Sequence, residues 1–263
     1  MAMKNQKRLS VTRLLTPVAL AVTLAACSTA PSTPTNVDIT LDPNQSMQTY
    51  LMRADSSEGS IQSDWLIMAL KAAIESNDIT QAELLIKRLG RQNLTQLQQA
   101  EWQLARADVL MKQEKYEEAL SKLNFKPSWN LADEQWKDYY QTRAKLLTQQ
   151  GQYFEAAREL TKSSEYVDQA EQEVIAQGVW TNLNQYSQYQ ITQFSAEPNE
   201  AILDGWLQLA IYTKTLSSNI PQLKNTLEKW LEENPDHPAA AHTPQAISDI
   251  LDLEIVKPVS TAL

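Results

Sequence analysis

Residues 112–123, KQEKYEEALSKL, and residues 149–160, QQGQYFEAAREL, decide how this chain is read. Set one above the other, they place Tyr116 over Tyr153, Ala119 over Ala156 and Leu123 over Leu160, each pair 37 residues apart. A third copy lies another 37 residues upstream, with Ile79, Ala82 and Ile86 in the same places. Offsets of three and four residues put these side chains on one face of a helix. Before each copy comes a second stretch, in which Leu70, Ala107 and Ala144 repeat the period, with Asn77, Glu114 and Gly151 at the turn between. Segments 65–89, 102–123 and 139–160 therefore each read as two amphipathic helices around a short polar turn. A small residue lets two helices approach closely, and the large residue one turn away fills the groove beside it.

This pattern resembles the tetratricopeptide repeat, whose second helix opens on Tyr-x-x-Ala as Tyr116–Ala119 and Tyr153–Ala156 do. The resemblance implies an all-α fold of helical-hairpin repeats stacked into a right-handed superhelix. The period of 37 exceeds the usual 34, so the connections between repeats should be long. In such arrays the first helix of each pair lines a concave face. Carried onto this sequence, that face holds Asp64, Ile67 and Lys71, then Glu101, Leu104 and Asp108, then Asp138, Gln141 and Lys145. Its charged members, Asp64, Lys71, Glu101, Asp108, Asp138 and Lys145, form the candidate partner groove. Read as exposed, Glu101, Asp108 and Asp138 should tolerate charge reversal within about 0.5 kcal/mol.

Five glycines in 263 residues also favour helix over strand. Beyond the repeats, 165–194 reads as continuing helix with a stripe of Val167, Ala170, Val174, Ala176, Val179 and Leu183. Residues 199–214 and 222–233 read as two more helices, the second ended by Pro235 and Pro238. The helical domain is thus expected over 46–245. Residues 246–263 read as a linker leading into the start of a β-strand.

At the other end, Lys4, Lys7, Arg8 and Arg13 precede 13 uncharged residues, 14–26. That run is too short for a membrane helix of about 20 residues and suits the apolar core of a signal peptide, residues 1–26. It ends in Leu24-Ala25-Ala26-Cys27, which looks like a bacterial lipobox. Cys27, the one cysteine, is the expected lipid-attachment residue, and residues 27–45, rich in Ser, Thr and Pro, are the expected flexible tether. In similar lipoproteins an aspartate after the cysteine marks inner-membrane retention. Ser28 stands there, so the periplasmic side of the outer membrane is the expected address. Removing residues 1–26 subtracts four positive charges from a net charge of -9, leaving -13. Such a chain is a poor nucleic-acid binder.

Little in the sequence suggests catalysis. His237 and His242 read as a loop feature, because a zinc site needs three or four placed ligands. There is neither a G-x-S-x-G motif nor a glycine-rich phosphate loop. Glu117-Glu118 and Glu232-Glu233 point in different directions on a helix and read as solvated faces. No catalytic residue, cofactor, metal or small-molecule substrate is expected. The seven tryptophans read mostly as packing; Trp129 and Trp136, flanking the turn at Pro127, are the exceptions that could serve as a sugar-binding platform.

One further stretch is more specific. PNEAILDGWLQL, residues 198–209, is followed by Trp230, by NPDHPA at 234–239 and by Pro244. With the lipobox and the repeats, this resembles the LpoA family of lipoproteins. The resemblance implies a non-catalytic outer-membrane lipoprotein that activates a class A penicillin-binding protein, a bifunctional peptidoglycan synthase. It also implies a second domain starting near 261–263. The competing expectation is a repeat lipoprotein serving as scaffold in outer-membrane protein assembly or pilus biogenesis.

Overall fold

The computed structural model describes residues 36–254. The expectations for the signal sequence, for Cys27 and for the strand at the C-terminal end lie outside the described residues. Among the described residues regular structure is helical throughout. The helices are α1 (Met47–Asp55), α2 (Gly59–Glu75), α3 (Ile79–Leu89), α4 (Gln96–Lys112), α5 (Tyr116–Lys122), α6 (Asp133–Gln149) and α7 (Tyr153–Ser163). They continue with α8 (Gln169–Leu183), α9 (Gln188–Ile191), α10 (Ala201–Thr215), α11 (Ile220–Glu233), α12 (Pro238–Ala241) and α13 (Gln245–Leu251). No helix among them is long and apolar enough to cross a membrane.

Pairs α2–α3, α4–α5 and α6–α7 are the three expected hairpins, and their first helices pack side by side. Each turn is made the same way. Asn77, Glu114 and Gly151 take left-handed backbone angles, with φ of 57°, 58° and 73°. The next amide then reaches back five residues: Asp78 to Ala73, Lys115 to Leu110 and Gln152 to Leu147, at 2.8, 2.9 and 2.9 Å. This satisfies a carbonyl that the end of the first helix would otherwise leave orphaned. Ala82, Ala119 and Ala156 are fully buried where the second helix meets its neighbours.

The extra length of the repeat sits in the connections, residues 90–95 and 123–132. The second is longer because α5 has 7 residues where α3 and α7 have 11. Pro127 disfavours helical backbone at Lys126. The freed end is held from outside, since Arg143 donates to the Leu123 carbonyl and the Asn124 amide donates to Gln103 Oε1. Phe125 is thereby buried beside α6.

Three expectations need correction. The stretch 165–194 is not one helix. It is a 3-10 turn (Ser164–Tyr166), then α8, then α9. Asp168 caps α8 by accepting from the Ala170 and Glu171 amides, and Ser187 with Gln190 forms a capping box that restarts the chain as α9. Val174 is 70% exposed, so the buried stripe runs instead through Ile175, Val179 and Leu183 with Ala176 and Trp180. The tether also ends earlier than residue 45. Ile39 is buried, its carbonyl accepts from Lys71 Nζ at 2.6 Å, and the Asn44 amide donates to the Tyr50 hydroxyl at 3.0 Å. Finally, α13 lies where a linker was expected, with Ile247 fully buried in the C-terminal core and Lys224 holding the Leu253 carbonyl at 2.8 Å.

That C-terminal core is built around Trp206. His237, read from sequence as a loop feature, inserts edge-on between Trp206 and Trp230, with ring centroids 5.2 and 5.0 Å away. The Ala239 amide donates to Nδ1 at 3.1 Å, so Nδ1 carries no proton, and Nε2 donates to the Ile202 carbonyl at 2.9 Å. Burial lowers its pKa and favours this neutral form. A Cβ on Gly205 would sit 2.6 Å from Nε2, so only glycine leaves room for this ring.

Candidate functional site

Helices α2, α4 and α6 bring Lys71, Glu101, Leu104, Asp108 and Asp138 to one groove, as the repeat register predicted. The cavity holds about 490 Å³. Thr142 lies one turn beyond Asp138 and Glu75 one turn beyond Lys71; both line it and both were missed, although the i+4 spacing was there to find them. Thr40, Asp42 and Pro43 close one end, a contribution no periodicity announced.

The groove is strongly unbalanced in charge. Asp42, Glu75, Glu101, Asp108 and Asp138 face a single lining lysine, Lys71. Lys71 is committed, bonded to Glu101 at 2.7 Å as well as to the Ile39 carbonyl. Burial raises the pKa of Asp108, with Lys145, Lys112 and Lys71 opposing the shift. Burial, then the neighbouring Glu134, pushes Asp138 up to about 6. These carboxylates are held in an unfavourable state that a cationic partner would relieve. They do not gather as a metal site: among the described residues no three His, Cys, Asp or Glu side chains come together as ligands.

Other predicted positions fall elsewhere. Ile67 is fully buried in core. Asp64 is half-buried, its pKa raised by burial, and it accepts from Gln98 Nε2 at 2.6 Å in a bond between hairpins. Gln141 and Lys145 line a second, more apolar cavity of about 370 Å³ with Leu160, Val174, Ile175 and Gly178. The expectation that Glu101 tolerates charge reversal is overturned. Its side chain is 5% exposed and paired with Lys71, and breaking a buried pair costs about 3–5 kcal/mol. Spacing placed Glu101 on the right face, but it could not show that residues 39–43 fold back over it.

Comparison with known proteins gives a consistent answer. The family model described as "LppC putative lipoprotein" matches residues 40–263. A protein of Vibrio antiquarius named penicillin-binding protein activator LpoA is 60% identical over 261 residues, 99% of this chain and 43% of that protein. The protein of the same name in Vibrio cholerae is 57% identical over 263 residues, covering 100% of this chain and 44% of its own length. The chain thus spans less than half the length of the curated relatives it matches. Among solved structures, the amino-terminal domain of LpoA from E. coli superposes with a TM-score of 0.63 at 20% identity, over 83% of this chain and 96% of that one. Full-length LpoA from Haemophilus influenzae gives 0.61 at 22% identity, over 82% and 40%. At such identities the structures speak for the helical fold alone.

Proposed function

The chain belongs to the LppC lipoprotein family, and from that premise we propose that it is the helical domain of an outer-membrane lipoprotein that activates a class A penicillin-binding protein. The observation that carries this reading is 60% identity across nearly the whole chain to a relative named for that activity. The same name favours an activator over a scaffold for outer-membrane assembly or pilus biogenesis. In this reading residues 1–26 are removed, Cys27 carries the lipid, and Ser28 directs the protein to the periplasmic face of the outer membrane. The domain performs no catalysis. It acts by binding.

The groove is where it binds. Five carboxylates around one committed lysine select a Lys- or Arg-rich segment of the synthase, and charge complementarity of this kind gives specificity and a salt-sensitive association rate. Asp108→Asn with Asp138→Asn is the informative variant. Burial already disfavours both charges, so their removal leaves the fold intact. The double variant should melt at or above the wild-type temperature and lose at least fivefold in capture of a detergent-solubilised class A synthase. Wild-type capture by the double variant would remove the groove from the mechanism. For the anchor, Cys27→Ser should abolish incorporation of radioactive fatty acid in cells; undiminished label would refute the lipid assignment.

A further inference from the structure

Helix α6 carries a second surface on its opposite side. Asp138 and Thr142 point into the acidic groove, whereas Trp136, Tyr139, Tyr140 and Arg143 line a separate cavity of about 390 Å³. The long connection supplies Phe125 and Pro127 to this cavity, α7 supplies Glu159 and Lys162, and the 3-10 turn supplies Tyr166. The shortened α5 and its long connection, which set the second repeat apart from the other two, help to make this cavity.

Three of its rings form a shelf. Trp136, Tyr140 and Tyr166 are within 21–27° of parallel, with centroids 5.8–6.2 Å apart in every pairing. A column of stacked rings would place its outer members about twice as far apart as neighbours. Three near-equal distances instead set the centroids at the corners of a triangle, so that each ring meets both of the others. Tyr140 and Tyr166 belong to none of the hydrophobic cores. Burial and neighbouring charges, with no hydrogen bond among the causes, set the pKa of both tyrosine hydroxyls. Burial, with Tyr166 and nearby glutamates, pushes Tyr140 up to about 12, so its hydroxyl stays a donor across physiological pH. Among the residues lining the cavity, Glu159 is shared by Arg143 at 3.0 Å and Lys162 at 3.7 Å, while Glu165 and Asp133 lie near enough to Tyr166 to raise its pKa.

We propose that this shelf binds a pyranose ring bearing a carboxylate, the chemistry of an acidic sugar in a glycan. A pyranose has one apolar C–H face, which suits a ring face, and a rim of hydroxyls, which suits donors at the ring edges. The carboxylate meets Lys162, whose partner Glu159 is already held through both oxygens by Arg143. A hydrophobic peptide would leave both the hydroxyls and that cation unmatched. This goes beyond the activator reading and does not require the acidic groove.

The test is calorimetric titration of the full chain with three probes: the disaccharide N-acetylglucosaminyl-N-acetylmuramic acid, its neutral counterpart N,N′-diacetylated chitobiose, and 3-deoxyoctulosonate. The first and third separate a wall glycan from a lipopolysaccharide core as the source of the acid. At least one acidic sugar should bind more tightly than chitobiose. Tyr166→Ala should weaken that binding at least tenfold. Lys162→Gln should bring the acidic sugar down to the level of chitobiose while leaving chitobiose unchanged. Lys162 is partly exposed and i,i+3 from Glu159, so this variant stays interpretable if Tyr166→Ala misfolds. No binding at millimolar sugar, affinity equal for acidic and neutral sugars, or binding indifferent to Lys162→Gln would overturn the proposal.

Discussion

The array α2–α7 and the C-terminal half α8–α13 are both all-helical, yet they solve packing in different ways. The array uses one solution three times: a left-handed residue at the turn, a five-residue reach of the next amide, and an alanine with no exposed surface at the contact. The C-terminal half uses a solution found once, a histidine edge-on between two indoles, seated where Gly205 lacks a side chain. Repetition spreads the stabilisation over equivalent sites. A single-copy arrangement concentrates it.

That contrast sets the order of the expected effects. Gly205→Ala should be the most damaging single methyl in the molecule. The new Cβ meets the His237 ring at 2.6 Å and Trp230 at 3.1 Å, so the histidine must leave, at a cost of about 3 kcal/mol. Denaturant unfolding followed by tryptophan fluorescence would measure it, and a loss under 1 kcal/mol would show that the seat adapts. In the array, Ala119→Leu and Ala156→Leu should each cost about 2 kcal/mol by overpacking, and by similar amounts, because both sites are fully buried at the same repeat position. Unequal costs would break the claim of equivalence.

The turns predict smaller changes of opposite sign. Gly151→Ala puts a side chain on a backbone at φ 73° and should destabilise by about 1 kcal/mol, whereas Glu114→Gly at φ 58° should relieve strain and stabilise by a few tenths to about 1 kcal/mol. Thermal melts of the two variants should move apart. The smallest effect distinguishes the halves by pH. His237 has its folded pKa below the unfolded value of about 6.5. The unfolded chain therefore binds its proton first, and stability contributed by the neutral ring is present above about pH 6.5 and lost as pH falls below it. Asp138 runs the other way: its folded pKa of about 6 lies above the unfolded value of about 3.9. Stability is higher at low pH and declines as pH rises through that window. Acidification from pH 7 to 5.5 should loosen amide exchange in α10–α12 and not in α6. The reverse pattern would contradict both assignments.

The sequence reveals the array almost completely, because its determinants are local and recur. The three turn residues, the three alanines and the faces carrying Lys71, Glu101, Asp108 and Asp138 all follow from one period. What it conceals is non-local. Nothing in residues 39–43 shows that they fold back on α2 and bury the Lys71–Glu101 pair. Nor does a histidine in a Pro-rich loop announce two tryptophans, one seven residues upstream and one 31. The helical stripe through 165–194 misled because the periodicity ignores Asp168 and Ser187, whose side chains restart the chain at new angles. The aromatic shelf was half legible: Trp136 stood out beside Pro127, while Tyr140 and Tyr166 join it only through the packing of α6 on the 3-10 turn.

The central claim is that the array, and not the C-terminal half, presents the partner-docking surface. Site-specific photo-crosslinking tests it most directly. A p-benzoylphenylalanine would replace Thr142 in the groove or, in a separate chain, Asn225 on the exposed side of α11. Each chain would be irradiated with a purified class A penicillin-binding protein. The account predicts a covalent adduct from position 142, diminished by Asp108→Asn with Asp138→Asn, and none from position 225. An adduct from position 225 with none from position 142 would contradict it.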